Sequence, residues 1–420
     1  MMKKATSTGV STAQVMPEQT LLITVCMHVL REARDDVRAM RAASALIRAG
    51  ATVSMIDIES QQGLPAEEVI DGLHVKHLMM PAQFGAERFE RHTLKRSIQL
   101  FLRSIQLLLQ TRADIYHACE VTALPACYIA ARWRRKPLIF EAYECPLKDR
   151  PVATMGRARR MLHRLLKLLL AHIVPRCAGV IAVSPPIVEQ IKQRYAITNV
   201  SLVRNILPYH KVTKSERLRQ HLGLGQDVRI ALYQGFLQPD RSLDILVRAG
   251  AFLAPNTVIV LMGKGVGKTL DDLQALIASE GIGDRVKILP PVPYEQLLDW
   301  TSSADLGLII NAYDYSPNIC MQLPNKLFEY LMAGVPVLTA QFEAVVEIVT
   351  AYGVGKVISS LLPADIGAAI NALLAQTDDL EHMRQNALQA ASERLSWEKE
   401  SAELIALYRK VLDASDRKRD

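Results

Sequence analysis

The chain has 420 residues, half of them hydrophobic, and a formal net charge of +7. This length exceeds what one hydrophobic core usually supports, so two folded domains are expected. No apolar run reaches the roughly 18 residues that a membrane-spanning helix needs. Aromatic residues make up only 5% of the chain and no nucleic-acid-binding motif is present, which argues against a nucleic-acid partner.

The N-terminus and the cysteines indicate a cytoplasmic protein. The first residues are basic but no apolar segment follows them, so residues 1–19 are predicted to be a disordered tail and not a signal peptide. The six cysteines form no CxxC pair and have no histidine-rich companion. Neither a metal site nor a disulfide framework is expected, and free thiols are typical of a reducing compartment.

Short β-branched runs alternate with helical periods through the first half of the chain. A helix is predicted from Asp36 to Arg48, where Gly50 ends it. Residues 206–227 lose the strand pattern, which predicts a linker. The predicted strands are Leu21–Cys26, Thr52–Ile56, His74–Leu78, Ile115–Ala118, Leu138–Glu141, Gly179–Val183 and Ser201–Arg204.

The alternation restarts after the linker. Two successive series of this kind predict an α/β protein with two doubly wound parallel sheets, whose ligands bind beyond the carboxyl ends of the strands. The predicted domains are residues 20–210 and 226–394, and a last helix at 395–414 is expected to cross back to the first domain. The predicted strands here are Arg229–Tyr233, Val258–Met262, Val286–Leu289, Leu306–Ile310 and Val335–Thr339.

The segment after Leu323 is predicted to be a short helix followed by a buried strand. Pro324 is expected to occupy the first helical position and Gly334 to end the helix. Lys326 falls in the first turn, where the helix dipole favours anions and not cations. A lysine at this place makes physical sense when a diphosphate binds the free N–H groups of the helix start.

Glu329 lies three residues after Lys326 and four residues after Asn325, so all three side chains are expected on one helical face. Glu329, one turn deeper, is placed to accept hydrogen bonds from vicinal sugar hydroxyls. The face therefore predicts a nucleotide-sugar site. The spacing alone is equally compatible with a solvated amphipathic helix that binds nothing.

Positive charge is concentrated in the first half of the chain. Between Arg88 and Arg176 there are 18 Lys and Arg residues against 6 Asp and Glu residues. Two segments inside it, residues 94–109 and 155–176, have the pattern of basic amphipathic helices that lie on anionic membranes. The alternative is that both helices pack on the core and expose a basic side. The clustered charge favours an anionic membrane surface as a partner.

A series of short motifs occurs in a characteristic order. In the second half they are YQGFLQPDRSLDILVRA (233–249), VIVLMGKG (258–265), VKILPPVPYEQLL (286–298), ADLGL (304–308) and LPNKLFEYLMAGVPVL (323–338). Elsewhere they are DIYHACEVTALPA (114–126), PLIFEAYE (137–144), GVIAVSPPIVEQIKQRY (179–195), VSLVRN (200–205) and LSWEKESAELIALYRKVL (395–412). In this order the chain resembles the GT-B glycosyltransferases, in particular the retaining family-4 enzymes. The resemblance implies two Rossmann-like domains that face each other across a cleft, with the last helix crossing back.

The resemblance also implies roles for single residues. Arg241 and Lys326 would be the catalytic cations that neutralise the donor diphosphate as the sugar leaves, and Glu329 would bind the nucleotide ribose. No metal and no other cofactor is implied, since the nucleotide-sugar is a substrate. The remaining implied site residues are Gly235, Gly263, Gly265 and Asn325 for donor binding, His117 for catalysis, and Glu120 and Glu144 on the acceptor side.

Four features of the family pattern are changed in this chain. The family usually has a second glutamate eight residues before Glu329, where this chain has Met321. The usual His-x-His-acid motif has Cys119 in place of its second histidine, and the lysine that often follows the arginine is Ser242. The usual Asp-x-His-Glu motif keeps only its final acid, Glu144. Donor binding is therefore expected to be retained more fully than the acceptor motifs.

The predicted function is transfer of a sugar, with retention, from a UDP- or GDP-sugar to a glycan or lipid-linked acceptor at the inner face of the cytoplasmic membrane. This activity fits bacterial surface polysaccharide assembly. Two alternatives stay open: a nucleotide-sugar epimerase of the same fold, and a non-catalytic partner that has kept the fold.

Overall fold

The computed structural model describes residues 20–60, 63, 65–79, 93–146, 156–311 and 317–417. The expected N-terminal tail, residues 1–19, lies outside them. Two parallel α/β units are present in the described residues, as the alternating pattern predicts. In the same part of the chain, no helix combines the length and the apolarity that crossing a bilayer requires.

In the first unit, eight strands in the described residues form one sheet: β1 (Thr24–His28), β2 (Thr52–Glu59), β3 (Glu67–Ile70), β4 (Leu73–Met79), β5 (Ile115–Cys119), β6 (Leu138–Ala142), β7 (Gly179–Ala182) and β8 (Val200–Leu202). Their order is β3-β4-β2-β1-β5-β6-β7-β8, with only β3 antiparallel to its described neighbour. The helices are α1 (Val37–Arg48), α2 (Thr93–Gln110), α3 (Glu120–Arg134), α4 (Arg157–Ile173) and α5 (Pro185–Tyr195).

The second unit begins with α6 (Arg217–Leu222). Its described strands lie in the order β11-β10-β9-β12-β13-β14 and are all parallel. They are β9 (Arg229–Gln234), β10 (Thr257–Met262), β11 (Val286–Leu289), β12 (Leu306–Ile309), β13 (Val337–Thr339) and β14 (Gly355–Val357). The helices are α7 (Leu243–Ala249), α8 (Thr269–Ser279), α9 (Leu297–Thr301), α10 (Pro317–Met321), α11 (Asn325–Met332), α12 (Glu343–Tyr352), α13 (Pro363–Ala375) and α14 (Thr377–Glu393).

The last helix, α15 (Trp397–Asp416), crosses back to the first unit. Its Tyr408 is fully buried among residues of α1 and of the first sheet. The chain passes between the two units twice, first near Leu207 and again near Trp397. These two segments lie side by side, and the Trp397 N–H donates to the Leu207 carbonyl at 3.1 Å. The Arg204 guanidinium also donates to the Glu400 carboxylate at 2.7 Å. This arrangement confirms the predicted return of the C-terminal helix.

The structure corrects three predicted details. The expected linker contains α6, and its Leu218 is buried together with Ile206 in the core of the second unit, so the first unit ends before residue 210. The short edge strands β3 and β14 were not predicted, because they are too brief and too polar to show a strand pattern. Helix α11 begins one residue later than expected, since Pro324 has an extended ψ of 141° and is the N-cap.

Candidate functional site

A cleft of about 680 Å³ lies between the two units, at the carboxyl ends of both sheets. This is where doubly wound sheets bind ligands. Five of the predicted donor-side residues line it together: Gly235, Arg241, Asn325, Lys326 and Glu329. From the first unit, the cleft is lined by Arg31, Asp35, Asp36, Arg38, Tyr143 and Asn205 among others.

The start of α11 forms the base of the donor side. Lys326 is the second residue of the helix, and its ammonium lies 3.5 Å from the centre of the Tyr233 ring, near the end of β9. A Cβ atom on Gly235 would lie only 3.4 Å from Lys326 Nζ, and the φ of Gly235 is +129°. Glycine suits this position for two reasons: it adopts this positive φ without strain, and it leaves space beside the Lys326 ammonium. The aromatic face stabilises the cation while the helix start stays open to an anion.

The environment of Lys326 disfavours its positive charge. Burial, and then the nearby charge of Arg241, lower the pKa of the ammonium to about 7, against an opposing effect of Glu329. A bound anion would reverse this balance, because it would offset the two positive charges. A negatively charged ligand that binds here would therefore be strongly stabilised by the charges of Lys326 and Arg241.

Glu329 is fixed by a chain of hydrogen bonds from the sheet. The Thr301 hydroxyl donates to the Gln234 side-chain carbonyl at 2.8 Å, and the Gln234 amide donates to Glu329 at 2.5 Å. Burial raises the pKa of this carboxyl, against the Gln234 hydrogen bond and the charges of Lys326 and Arg41. The oriented carboxylate can accept hydrogen bonds from ligand hydroxyls in the cleft.

Arg241 ends a short 3-10 turn, Pro239–Arg241, that follows β9. It lines the same cleft as Lys326, and its charge is strong enough at Lys326 to lower that residue's pKa. The next residue, Ser242, has a φ of +52°, which is uncommon for a residue with a side chain. The two cations therefore share one crevice, although they lie 85 residues apart in the sequence.

Gly263 and Gly265 lie beside this crevice without lining it. A Cβ atom on Gly263 would lie 1.7 Å from the carbonyl oxygen of Gly235, so no larger residue fits. Gly265 forms an isolated parallel bridge with Leu237. Both glycines therefore allow the loop after β10 to pack against the loop that carries Gly235. Their role in the described structure is close backbone packing.

His117 does not reach the cleft, which corrects the expectation that it faces a ligand. It lies in the middle of β5 and is fully buried, and its Nδ1 lies 2.6 Å from the hydroxyl of Tyr408 on α15. Side chains alternate between the faces of a strand. Because Tyr116 and Ala118 pack on the face of α2–α5, His117 must point to the opposite face, which α15 covers.

His117 belongs instead to a buried charge network. Its Nε2 lies 3.2 Å from the Glu141 carboxylate, and Arg38 donates to the same carboxylate from Nε at 2.8 Å. Burial alone would raise the pKa of Glu141, but Arg38 and His117 outweigh burial and lower that pKa to about 2. The network joins α1, β5, β6 and α15.

One group in the described residues has the spacing of a metal site. The ligand atoms of His117, Cys119 and Glu141 lie within 4.8 Å of one another. The Arg38 guanidinium already binds the Glu141 carboxylate, and burial raises the pKa of the Cys119 thiol well above its usual value. A metal ion would have to displace a buried cation and ionise this thiol. The residues therefore fit a charge network better than a metal.

On the acceptor side, Glu120 forms an ion pair with Arg31, which itself lines the cleft. Glu120 begins α3 with a φ of +71°, a strained conformation that is often found at functional sites. Burial raises its pKa against the effect of Arg31, and the charges of Asp36 and then Glu144 raise it further. Neither Glu120 nor Glu144 is among the described residues that line the cleft; Glu120 is linked to it through Arg31.

Met321, which replaces the family's glutamate, is buried in the core cluster of the first unit. Its carbonyl accepts a hydrogen bond from the Ser184 hydroxyl at 2.6 Å. Asn205 donates to the Asn325 side chain at 3.0 Å, which also joins the two units across the cleft. The position of Met321 therefore serves contact between the units.

Two family models match the chain. The model described as Glycosyltransferase Family 4 matches residues 36–207, and the model described as Glycosyl transferases group 1 matches residues 214–390. Together they account for both units. The chain belongs to this family of glycosyltransferases.

Solved structures confirm that this glycosyltransferase has the GT-B fold. Sucrose-phosphate synthase from Thermosynechococcus elongatus has a TM-score of 0.73 at 17% identity, over 93% of this chain and 99% of that one. The Anabaena protein HepE, in complex with UDP-glucose, has a TM-score of 0.68 at 17% identity, over 92% and 99%. At these identities the likeness concerns the fold.

A curated relative is more similar in sequence but over a shorter stretch. D-inositol 3-phosphate glycosyltransferase 1 of Catenulispora acidiphila is 28% identical over 208 residues, which is 47% of this chain and 48% of that protein. The chain spans about half the length of the curated relatives it matches.

Several residues of the cleft were not singled out from the sequence. Gln234 and Tyr233 end β9, and only their contacts with α11 give them a place in the site. Arg31, Asp36 and Tyr143 come from the loops after β1 and β6. The signal that could have found them is position alone, since each lies at the carboxyl end of a predicted strand.

Proposed function

We propose that this glycosyltransferase moves a sugar from a UDP- or GDP-sugar to a membrane-associated or lipid-linked glycan acceptor. One observation carries the proposal: Lys326, Arg241 and the start of α11 line one cleft together with the oriented carboxylate of Glu329. These groups match a diphosphate and a ribose. The UDP-glucose bound to HepE supports a uridine nucleotide as the donor.

In the proposed reaction, the nucleoside diphosphate lies at the start of α11. Lys326 and Arg241 neutralise the negative charge that develops as the bond between the sugar and the phosphate breaks. Fixed cations of this kind lower such a barrier by about 3–4 kcal/mol each. Because two cations already face the leaving group, we propose that the reaction needs no metal cofactor.

The acceptor would enter from the side of Arg31 and Glu120, across the cleft from α11. Its hydroxyl attacks the anomeric carbon on the face that the diphosphate leaves, so that the configuration is retained, and the departing phosphate oxygen accepts the hydroxyl proton. His117 has no part in this step, because it is buried beneath α15. We place the enzyme at the inner face of the cytoplasmic membrane, where lipid-linked glycans of bacterial surface polysaccharides are assembled.

The test is a panel of UDP- and GDP-sugars incubated with the enzyme and a lipid extract of bacterial membranes, with products followed by mass spectrometry. The expected product is a glycolipid that is heavier by one sugar, formed by wild type and lost in Glu329→Gln. Glu347→Gln, an exposed acid on α12, is the matched control. Linkage analysis by NMR then gives the anomeric configuration, and inversion would contradict the proposed mechanism.

Two other outcomes would overturn the proposal. An isomerised nucleotide-sugar formed without any acceptor would show an epimerase. Calorimetry that detects no binding of UDP or GDP would show a non-catalytic protein that has kept the fold, in keeping with the replacement of a family glutamate by Met321.

A further inference from the structure

Helix α4 leaves most of its apolar side uncovered. Among the side chains of α4 that the structure describes, only Leu170 and Ile173, near its carboxyl end, are buried in the core of the first unit. The others are large and exposed, which is unusual for one contiguous face of a soluble protein. They are Met161 (63%), Leu162 (56%), Leu165 (56%), Leu166 (36%), Leu168 (69%) and Leu169 (39%).

The opposite side of α4 is basic. At 100° per residue, Arg157, Arg160, Arg164 and Lys167 fall on one side of the helix. On the other side lie Leu162, Leu165, Leu166 and Leu169, whereas Met161 and Leu168 lie at the border beside the cations. No Asp or Glu occurs between Arg150 and Glu189, so no acid of this segment offsets the charge. An amphipathic helix with leucines on one side and Arg and Lys on the other is suited to an anionic membrane interface.

A basic pocket lies at the carboxyl end of α4. Its volume is about 770 Å³, and it opens at the amino ends of β6 and β7, on the edge of the sheet opposite the cleft. The His172 ring of α4 lies 3.4 Å from the Tyr128 hydroxyl of α3, which joins the two helices beside this pocket. Four of its lining residues are cationic: Arg132, Arg135, Lys136 and Arg176.

Helix α3 adds an exposed tryptophan between these cations. Trp133 is 78% exposed and lies next to Arg132 in sequence. Tryptophan is enriched where proteins meet the boundary between lipid and water, because its ring is apolar and its N–H is polar. Trp133, α4 and the basic pocket thus all have the residue types that favour contact with the surface of an anionic membrane.

We propose that α4 and the basic pocket at its end form a docking surface for a membrane that contains anionic phospholipid. The leucines enter the lipid interface, while Arg157, Arg160, Arg164, Lys167 and the pocket bind lipid phosphates. This surface rests on the proposed function, since it brings a lipid-linked acceptor to the cleft. Helix α4 lies between β6 and β7 in the chain, so docking along α4 holds the first unit, which supplies the acceptor side of the cleft, on the bilayer.

The test is co-sedimentation of the full-length protein with vesicles. Vesicles of phosphatidylcholine alone are compared with vesicles that contain about 30% phosphatidylglycerol, and the anionic vesicles are expected to bind at least about tenfold more protein. The variant Leu162→Gln/Leu165→Gln/Leu169→Gln should reduce this binding by about 100-fold. Leu362→Gln, at a residue of the second unit that is 65% exposed, is the matched control and should bind normally.

A second variant tests the pocket. Arg132→Glu/Arg135→Glu should weaken binding to anionic vesicles by about tenfold or more without changing the low binding to neutral ones. Arg394→Glu, at an exposed site of the second unit, is the charge-matched control. Circular dichroism and binding of UDP, measured by calorimetry, should be unchanged in all variants, which separates loss of docking from loss of fold.

Three results would overturn the proposal. The first is wild-type protein that stays in the supernatant with both kinds of vesicle. The second is a dimer in sedimentation velocity that the three leucine substitutions dissociate, since a second copy would then cover α4. The third is protection of α4 by residues 1–19, seen as vesicle binding that appears only after their removal. If UDP still binds in any of these cases, the docking surface fails and the proposed donor site stands.

Discussion

The two units of the molecule use buried charge in opposite ways. In the second unit, burial and the neighbouring Arg241 act against the positive charge of Lys326, which faces the cleft. In the first unit, Arg38 and His117 stabilise the charge of Glu141, which lies under α15. The positive charge of Lys326, which is disfavoured in the empty protein, is available to a ligand. The charge of Glu141 is already neutralised by its neighbours and holds the surrounding elements together. The donor side is therefore built for binding, and the histidine motif of the acceptor side for architecture.

The largest expected effect is the loss of turnover in Lys326→Ala. Removing a cation that faces the leaving group should lower kcat/KM for the best donor of the panel by about 10³. The free energy of unfolding should not fall, because the ammonium is disfavoured in the folded protein. Both quantities are measured beside Lys356→Ala, at an exposed lysine of β14. Wild-type kcat/KM in Lys326→Ala would contradict the proposed donor site.

For Arg38→Met, in contrast to Lys326→Ala, the free energy of unfolding is expected to fall. This substitution leaves the Glu141 carboxylate buried without its guanidinium, so urea denaturation should show a loss of about 3 kcal/mol. Arg217→Met is the control, because Arg217 and its partner Asp299, 3.6 Å away, are both about half-exposed, and it should cost less than about 1 kcal/mol. If the two variants lose equal stability, the buried network does not hold the first unit together.

The pH dependence of nucleotide binding gives a sharper contrast. Only the charged form of Lys326 attracts the diphosphate, and its pKa in the empty protein is about 7. Affinity for UDP should therefore fall by up to about tenfold per pH unit above pH 7. Calorimetry should show proton uptake on binding in this range. Lys326→Arg should remove both effects, since arginine keeps its charge.

The smallest expected effect is that of Tyr408→Phe. Removing the hydroxyl leaves His117 without that buried partner, which should cost about 1 kcal/mol of unfolding free energy. The value of kcat/KM per folded molecule should not change, because neither Tyr408 nor His117 lines the cleft. A tenfold fall in kcat/KM at unchanged stability would mean that His117 acts on the reaction.

Much of the donor side could be predicted from local sequence. The helix α11, its end at Gly334 and the shared face of Lys326 and Glu329 all follow from spacing within a few residues. The parallel strands follow from β-branched runs that are buried on both faces. Local rules suffice here because a single short helix supplies the groups that meet the ligand.

The rest depends on contacts that no local pattern contains. His117 meets Tyr408 across 291 residues, and Gln234 meets Glu329 across 95. Which face of β5 holds His117 is decided only when α15 returns to cover that face. The periodicity of α4 likewise predicts an amphipathic helix, but whether another element covers its leucines is a property of the assembled unit.

The paired crossings of the chain at Leu207 and Trp397 have a consequence for motion. The two connecting segments are held together by the hydrogen bond from the Trp397 N–H to the Leu207 carbonyl. Together they form one hinge axis about which the two units can rotate. Rotation about that axis would widen or narrow the gap between Arg31 and Lys326 while Lys326, Arg241 and Glu329 keep their mutual distances. Nucleotide binding would then require only the second unit. Acceptor binding would require the two units to rotate towards each other, so the two events could occur separately.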